Sequence, residues 1–199
     1  MDTPDQGAHS VRFDWGPTGA AVVASGADVA VVVDVLTFSS AVIEQAVASG
    51  APVPTQDDSP GARVVRAVAG VATTVVLAGL TNARAVADWL AREHDAGTQV
   101  AVVAAGDAWP DATLRPAIED LWGAGAVLAA LEDHDWPGLS PEAALAADAY
   151  RLVEGREAAH LRACAGAAAV APDVLARAGL AGSVAVVPVL TDRGFVPLP

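Results

Sequence analysis

Asp34 stands at the end of the run Val29–Val35, VAVVVDV, whose other residues are all apolar. Burying a carboxylate there costs several kcal/mol unless it is paired, hydrogen-bonded or bound to a metal, on the order set by charge desolvation. Asp34 therefore either caps the segment that follows or does chemistry. A second group lies in LRPAIEDLWGAGA, with Arg115, Glu119 and Asp120. If this stretch is helical from Arg115, Arg115 and Glu119 share a face. That pair is either an exposed ion pair, worth a few tenths of a kcal/mol, or the opening turn of a helix that holds an anion behind the loop Gly106–Thr113. In open α/β sheets ligands bind beyond the C-terminal ends of the strands. The groups to weigh are therefore Asp34, Thr37, Ser39 and Ser40 after one strand, Thr81 and Asn82 after another, and Asp107, Trp109 and Asp111 after a third.

The elements that must position these groups follow from apolar patterning. Val29–Val35, Thr73–Ala78 and Gln99–Ala104 read as strands buried on both faces of a parallel sheet. Val11–Trp15 reads as a first strand, with Ala20–Ala24 packed near it, and Val53–Thr55 as a short one. Ser39–Ser49 reads as a helix with Ser39 or Ser40 as N-cap and Gly50 as its stop. Asp57–Gly61 is a turn, Arg63–Val68 a weak helix and Asn82–Glu93 an amphipathic one. A helix is expected from about Arg115 to Leu131, with Pro116 at its start. Others are expected from Pro141 with Ser140 as N-cap, over Glu157–Ala163, and over Pro172–Ala178 ended by Gly179. Ser183–Leu190 is the last expected strand, and Pro188 places it at an edge. Residues 1–8 are polar and expected to fray. The order predicts an α/β fold with a largely parallel central sheet flanked by helices. It predicts a single domain over residues 1–199, whose helical run 114–178 either covers the sheet or forms a subdomain.

Composition narrows the chemistry. The 199 residues carry a formal charge of −13, and all 11 basic residues are Arg. Without Lys there is no Schiff-base or Walker-type chemistry. No basic face forms, so nucleic acid is not an expected partner. An anionic substrate would need a local Arg, backbone amides or a metal. Cys164 is the one cysteine, in a context that predicts an inert buried thiol. The histidines share no ligand spacing, and Gly123-Ala124-Gly125 lies within a helix rather than after a strand, so it is no dinucleotide fingerprint. Asp34-Val35-Leu36-Thr37 lacks the second Asp of a haloacid-dehalogenase motif. No apolar run is long enough to cross a bilayer and no signal peptide is evident, so a cytoplasmic protein is expected. Gly123, Gly125 and the alanine-rich faces of 124–130 and 143–149 suggest close backbone packing, and with it a homodimer through residues 114–163.

Several of these blocks, FDWGPTG, VVVDVLTFSSAV, LTNARAVADWL and above all VAAGDAWPDATLRPAIEDLWGAGAVLAAL, resemble the 2-phosphosulpholactate phosphatase family over nearly the whole chain. The segment of about 55–73 is shorter than the family pattern, Thr81 stands where the family has Arg, and Gly166-Ala167-Ala168 stands where a Gly-Arg-Glu-like motif is expected. The resemblance implies a magnesium-dependent phosphatase that hydrolyses a small anionic phosphorylated metabolite; in the family, 2-phosphosulpholactate gives 3-sulfolactate and phosphate on the route to coenzyme M. Mg²⁺ is then expected on some of Asp34, Asp107, Glu119 and Asp120, since hard oxygen ligands suit it. Asp34, Arg115 and Glu119 are the expected catalytic residues, with Ser39, Asn82 and Arg115 binding substrate. The competing expectation is a degenerate, non-catalytic member that binds an acidic metabolite or acts as a subunit.

Overall fold

A computed structural model describes residues 5–54 and 57–199. Its centre is a six-stranded sheet with the order β1-β4-β2-β3-β7-β8. The strands β1 (Val11–Trp15), β2 (Val29–Val33), β3 (Thr74–Ala78) and β4 (Val100–Ala104) are parallel, as their β-branched runs predict. β7 (Val187–Thr191) runs antiparallel to β3, and β8 (Gly194–Leu198) folds back on β7 as a hairpin. The sheet therefore ends at β8, and Pro188 sits in the second-to-last strand, opposite Pro197, rather than at the edge.

Alternate residues of each strand feed different cores. Val29, Val31 and Val33 face one helical layer, and Ala30 and Val32 face the other. The helices α1 (Gly16–Val23), α2 (Phe38–Ser49) and α3 (Pro60–Val68) cover one side. The helices α4 (Ala83–Glu93), α5 (Ile118–Asp133) and α6 (Pro141–Arg151) cover the other, where Leu161 of α7 (Glu157–Ala163) and Leu175 of α8 (Pro172–Ala178) join the same core. The C-terminal helical run is thus a layer on the sheet and not a subdomain. Among the described residues no helix is long and apolar enough to cross a membrane.

Several local expectations change. Ala20–Ala24 lies largely in α1, which starts directly from β1 with Gly16 at φ 61° and Pro17 in the first turn. β2 and β4 are shorter than their apolar runs, and Val53 makes only an isolated bridge to Phe195, while Thr55 lies outside the described residues. Residues 6–8 are not simply frayed. The Gln6 amide donates to the Phe13 carbonyl (2.7 Å) and accepts from its N–H (3.1 Å), covering part of the free edge of β1. Ser140 caps α6 as expected, accepting from the Ala143 N–H, and Gly50 ends α2 in the left-handed conformation.

The largest difference concerns α5, which begins at Ile118 and not at Arg115. Pro116 disfavours a helical conformation in the residue before it. Leu114–Arg115 (β6) instead pairs with Asp107–Ala108 (β5) in a two-stranded ribbon.

The small residues of α5 are spent inside the chain. A Cβ on Gly123 would meet Val35 and Val33, and one on Gly125 would overlap the Ala146 carbonyl oxygen. Ala143, Ala146 and Ala147 of α6 are buried against the same helix. Close backbone packing is therefore real, and at Gly125 it joins α5 to α6. Gly125→Ala should force the two helices apart and cost about 1–3 kcal/mol, the usual range for overpacking, as read by urea denaturation. An unchanged midpoint would contradict this packing.

Candidate active site

The C-terminal ends of β2 and β4 open into a cavity of about 230 Å³ that holds four carboxylates: Asp34, Asp107, Glu119 and Asp120. Each arrives by a different route. Asp34 follows β2, Asp107 begins the ribbon after β4, and Glu119 and Asp120 occupy the first turn of α5, where the helix dipole favours negative charge.

Asp120 is buried and fully used. Its Oδ1 accepts from the Val35 N–H (2.8 Å) and its Oδ2 from the Gly106 N–H (2.9 Å). One side chain thereby ties the end of β2 to the end of β4. Burial, and next the charge of Asp34, push its carboxyl well above the ordinary carboxylate range. Asp34 is also buried. Its Oδ1 accepts from the Thr37 hydroxyl and N–H, and its Oδ2 from the Gly61 N–H at 3.0 Å, near the start of α3. Burial raises its carboxyl as well, while those hydrogen bonds pull the other way. The capping and functional readings of Asp34 are therefore compatible, since it organises its loop and still lines the cavity.

Glu119 differs from both. It is only 5% exposed, and its Oε2 is buried with no hydrogen-bond partner. Gly166, in the 3₁₀ turn Ala165–Ala169, lies over it, and a Cβ there would collide with Oε1. Cys164 is nearby. Its thiol is pushed up to about 11, first by burial and then by the Glu119 charge, as expected of an inert cysteine.

Other expected residues take different places. Because Arg115 lies on β6, it does not share a helix face with Glu119. Its guanidinium pairs at 3.3 Å with Asp107, which lines the cavity, and sits 5.5 Å from the Trp109 ring centroid; Arg115 itself is outside the lining. Ser39 is fully buried in the first turn of α2, bonded to the Asp34 N–H and the Val32 carbonyl. Asn82 is also fully buried; it accepts from Gly79 N–H and donates to the carbonyls of Leu77 and Val186. Neither lines the cavity. Both hold strand ends in place and lie outside the cavity lining. Neither Ser39 nor Ser40 is the N-cap of α2, a position taken by Thr37. The Gly61 N–H escaped the sequence reading, and Gly106 was marked only as the start of the loop after a strand, because only the folded chain brings their N–H groups to the carboxylates.

Among the described residues no three His, Cys, Asp or Glu side chains form a group that could hold a metal ion. The four carboxylates thus share a cavity without forming a ready-made cage. Each oxygen of Asp120 already accepts a backbone hydrogen bond, which ties the side chain to the two strand ends.

Raised carboxyl values favour the protonated form in the folded chain. The stability of these groups is greatest below the ordinary carboxylate pKa and falls as pH rises through their folded values. Asp120→Asn should therefore flatten the decline in melting temperature between pH 5 and pH 8, on the scale of ordinary carboxylate titrations. A parallel decline in both proteins would contradict it. Cys164 should resist iodoacetamide at pH 8, where about a thousandth is thiolate; rapid labelling of the folded protein would contradict its placement.

The model of the 2-phosphosulpholactate phosphatase family matches residues 56–181, more than half of the chain. The match is shorter than the resemblance suggested. It includes Asn82, Asp107, Arg115, Glu119 and Asp120, and it leaves Asp34 and Ser39 before its start. No curated protein matches the chain. The matched segment runs from α3 past α8 and supplies three of the four cavity carboxylates; on that match, the chain belongs to the 2-phosphosulpholactate phosphatase family.

Proposed function

We propose that the chain hydrolyses a small phosphomonoester in the cavity bounded by Asp34, Asp107 and Glu119, releasing inorganic phosphate. The observation that carries this reading is Glu119 Oε2, buried without a partner beside Asp34. A carboxylate oxygen so placed is costly unless a cation or a donor meets it. Family membership supports the reaction class.

Mg²⁺ fits this donor set. The groups are hard oxygens, and Mg²⁺ keeps several waters while asking a protein for one or two carboxylates. Glu119 and Asp34 would hold it, with Asp107 at the mouth. When bound, the ion supplies polarisation of the phosphoryl group and a more acidic water. Arg115 exchanges Asp107 for phosphate oxygens, which its planar fork can grip in pairs. Water then adds to phosphorus, the ester P–O bond breaks, and the alcohol leaves with a proton. Ser39 and Asp120 act at one remove, by fixing the strand ends that carry Asp34 and Gly106, and Asn82 fixes the end of β3.

A second reading has its own support. All four oxygens of Asp34 and Asp120 already accept protein hydrogen bonds, and Arg115 already has an anionic partner. A family member so engaged would bind a phosphorylated metabolite without turning it over.

Phosphate release from a panel of phosphomonoesters with Mg²⁺ tests the proposal. Asp34→Asn and Arg115→Ala should each lower kcat/KM by about 10²-fold or more, the usual loss on removing a group that stabilises transition-state charge. Chelation should abolish turnover and Mg²⁺ restore it. Full activity after chelation contradicts the metal's role, and tight binding without turnover selects the second reading.

A further inference from the structure

A second and larger cavity, of about 570 Å³, shares no lining residue with the carboxylate site at the ends of β2 and β4. Small-molecule sites usually span roughly 300–1,000 Å³. Leu80, just past β3, lines it with Ala126, Ala129 and Ala130 of α5. These alanines leave open the space that larger side chains would fill. The end of α6, the turn after it and the loop 179–183 supply most of the rest. That loop is fixed to the rim of β3: the Gly182 N–H donates to the Leu80 carbonyl (3.1 Å) and the Val184 N–H to the Thr81 carbonyl (3.0 Å).

The charges of this cavity are unbalanced. Asp133, Glu154 and Glu157 line it, and Arg84 is the one basic residue in the lining among the described residues. Arg84 is already paired with Asp88 and Asp133, each at 3.0 Å. Glu154 and Glu157 are left without a basic group in the lining. Glu157 is only 7% exposed. Its Oε1 accepts from the Tyr150 hydroxyl and the Gly155 N–H, both at 3.0 Å. Burial, and next Glu157, hold the Tyr150 phenol above its ordinary value, so it stays a donor. Glu157 Oε2 accepts no hydrogen bond from the described residues, and unlike Glu119 Oε2 it is not sealed off. Its access is through the cavity that the residue lines. An oxygen so placed is costly unless a donor or cation meets it. Among the described residues no three acidic, His or Cys side chains form a group for a metal ion, and a bare ion would leave the apolar wall unused.

We infer that this cavity binds a small organic cation, a primary ammonium group on an aliphatic body. The ammonium donates to Glu157 Oε2 and offsets Glu154, while the body covers Leu80 and the alanines of α5. The site stands apart from the phosphatase reading and does not depend on it. Hexylamine, 1-hexanol and hexanoate share a body and differ in charge, and methylamine keeps the charge without the body. Calorimetry at neutral pH and fixed ionic strength, with and without Mg²⁺, measures the affinity of each.

Hexylamine should bind about tenfold or more tightly than 1-hexanol, the usual worth of a hydrogen bond to a charged group. Hexanoate should bind more weakly than either, and methylamine should lose about tenfold or more against hexylamine through the missing apolar contact. Saturating Mg²⁺ should leave hexylamine bound as before, because the hard cation goes to the carboxylates at the strand ends. Glu157→Gln keeps an acceptor for Tyr150 and Gly155 but loses the charge. It should weaken hexylamine and leave 1-hexanol unaltered. Ser183→Trp, at an exposed lining position, should block both. Hexylamine bound no more tightly than 1-hexanol, its displacement by Mg²⁺, or wild-type affinity in either variant that circular dichroism shows folded would overturn the inference. If Glu157→Gln does not fold, Ser183→Trp decides alone.

Discussion

The carboxylate of Asp120 bridges the segments that leave two neighbouring strands. It accepts one backbone N–H from the residue after Asp34 and one from the glycine before Asp107. Breaking these two hydrogen bonds would leave buried backbone donors unsatisfied. The cost of this clamp is a buried charge beside two others, which raises its carboxyl well above the usual range. The cavity inherits both properties: fixed walls and an excess of negative potential.

That arrangement depends on close packing at the start of α5. Gly123 lets the helix approach Val33 and Val35, and Gly125 lets α6 approach from the other side. Larger residues would lift the helix and carry Glu119 and Asp120 away from the strand ends. The same packing brings the 3₁₀ turn at Gly166 over Glu119 and leaves its Oε2 without a protein partner. Sequence, packing and electrostatics thus converge on one oxygen atom.

The parallel strands and their order among helices were legible because a strand buried on both faces must be a continuous apolar run, as Val29–Val33 and Val100–Ala104 are. Asp34 stood out for the same reason, as the one charge in such a run. The tight contacts of Gly123 and Gly125 were legible from the cost of glycine within a helix, although not which surface they meet. Less was legible where a residue's partner is distant in sequence. Nothing local says that Asn82 bonds to Val186, 104 residues away, or that Asp120 bonds to Val35, 85 residues away. Arg115 was misplaced through the helical spacing to Glu119, although Pro116 carried the contrary signal. The hairpin of β7 and β8 was obscured by its prolines, which face each other as Pro188 and Pro197 where a ladder of N–H donors is expected.

The central claim is that Glu119 Oε2 and Asp34 form a site for a hard cation beside a phosphoryl group. Mn²⁺ is a close chemical substitute for Mg²⁺ at oxygen-rich sites, and its anomalous scattering locates it directly. In crystals grown with Mn²⁺ and inorganic phosphate, the account predicts one strong anomalous peak about 2.2 Å from Glu119 Oε2 and from a carboxylate oxygen of Asp34, close to the octahedral distances of small divalent ions. It also predicts phosphate between that ion and Arg115. An anomalous peak elsewhere, with the cavity holding only water, would contradict the account.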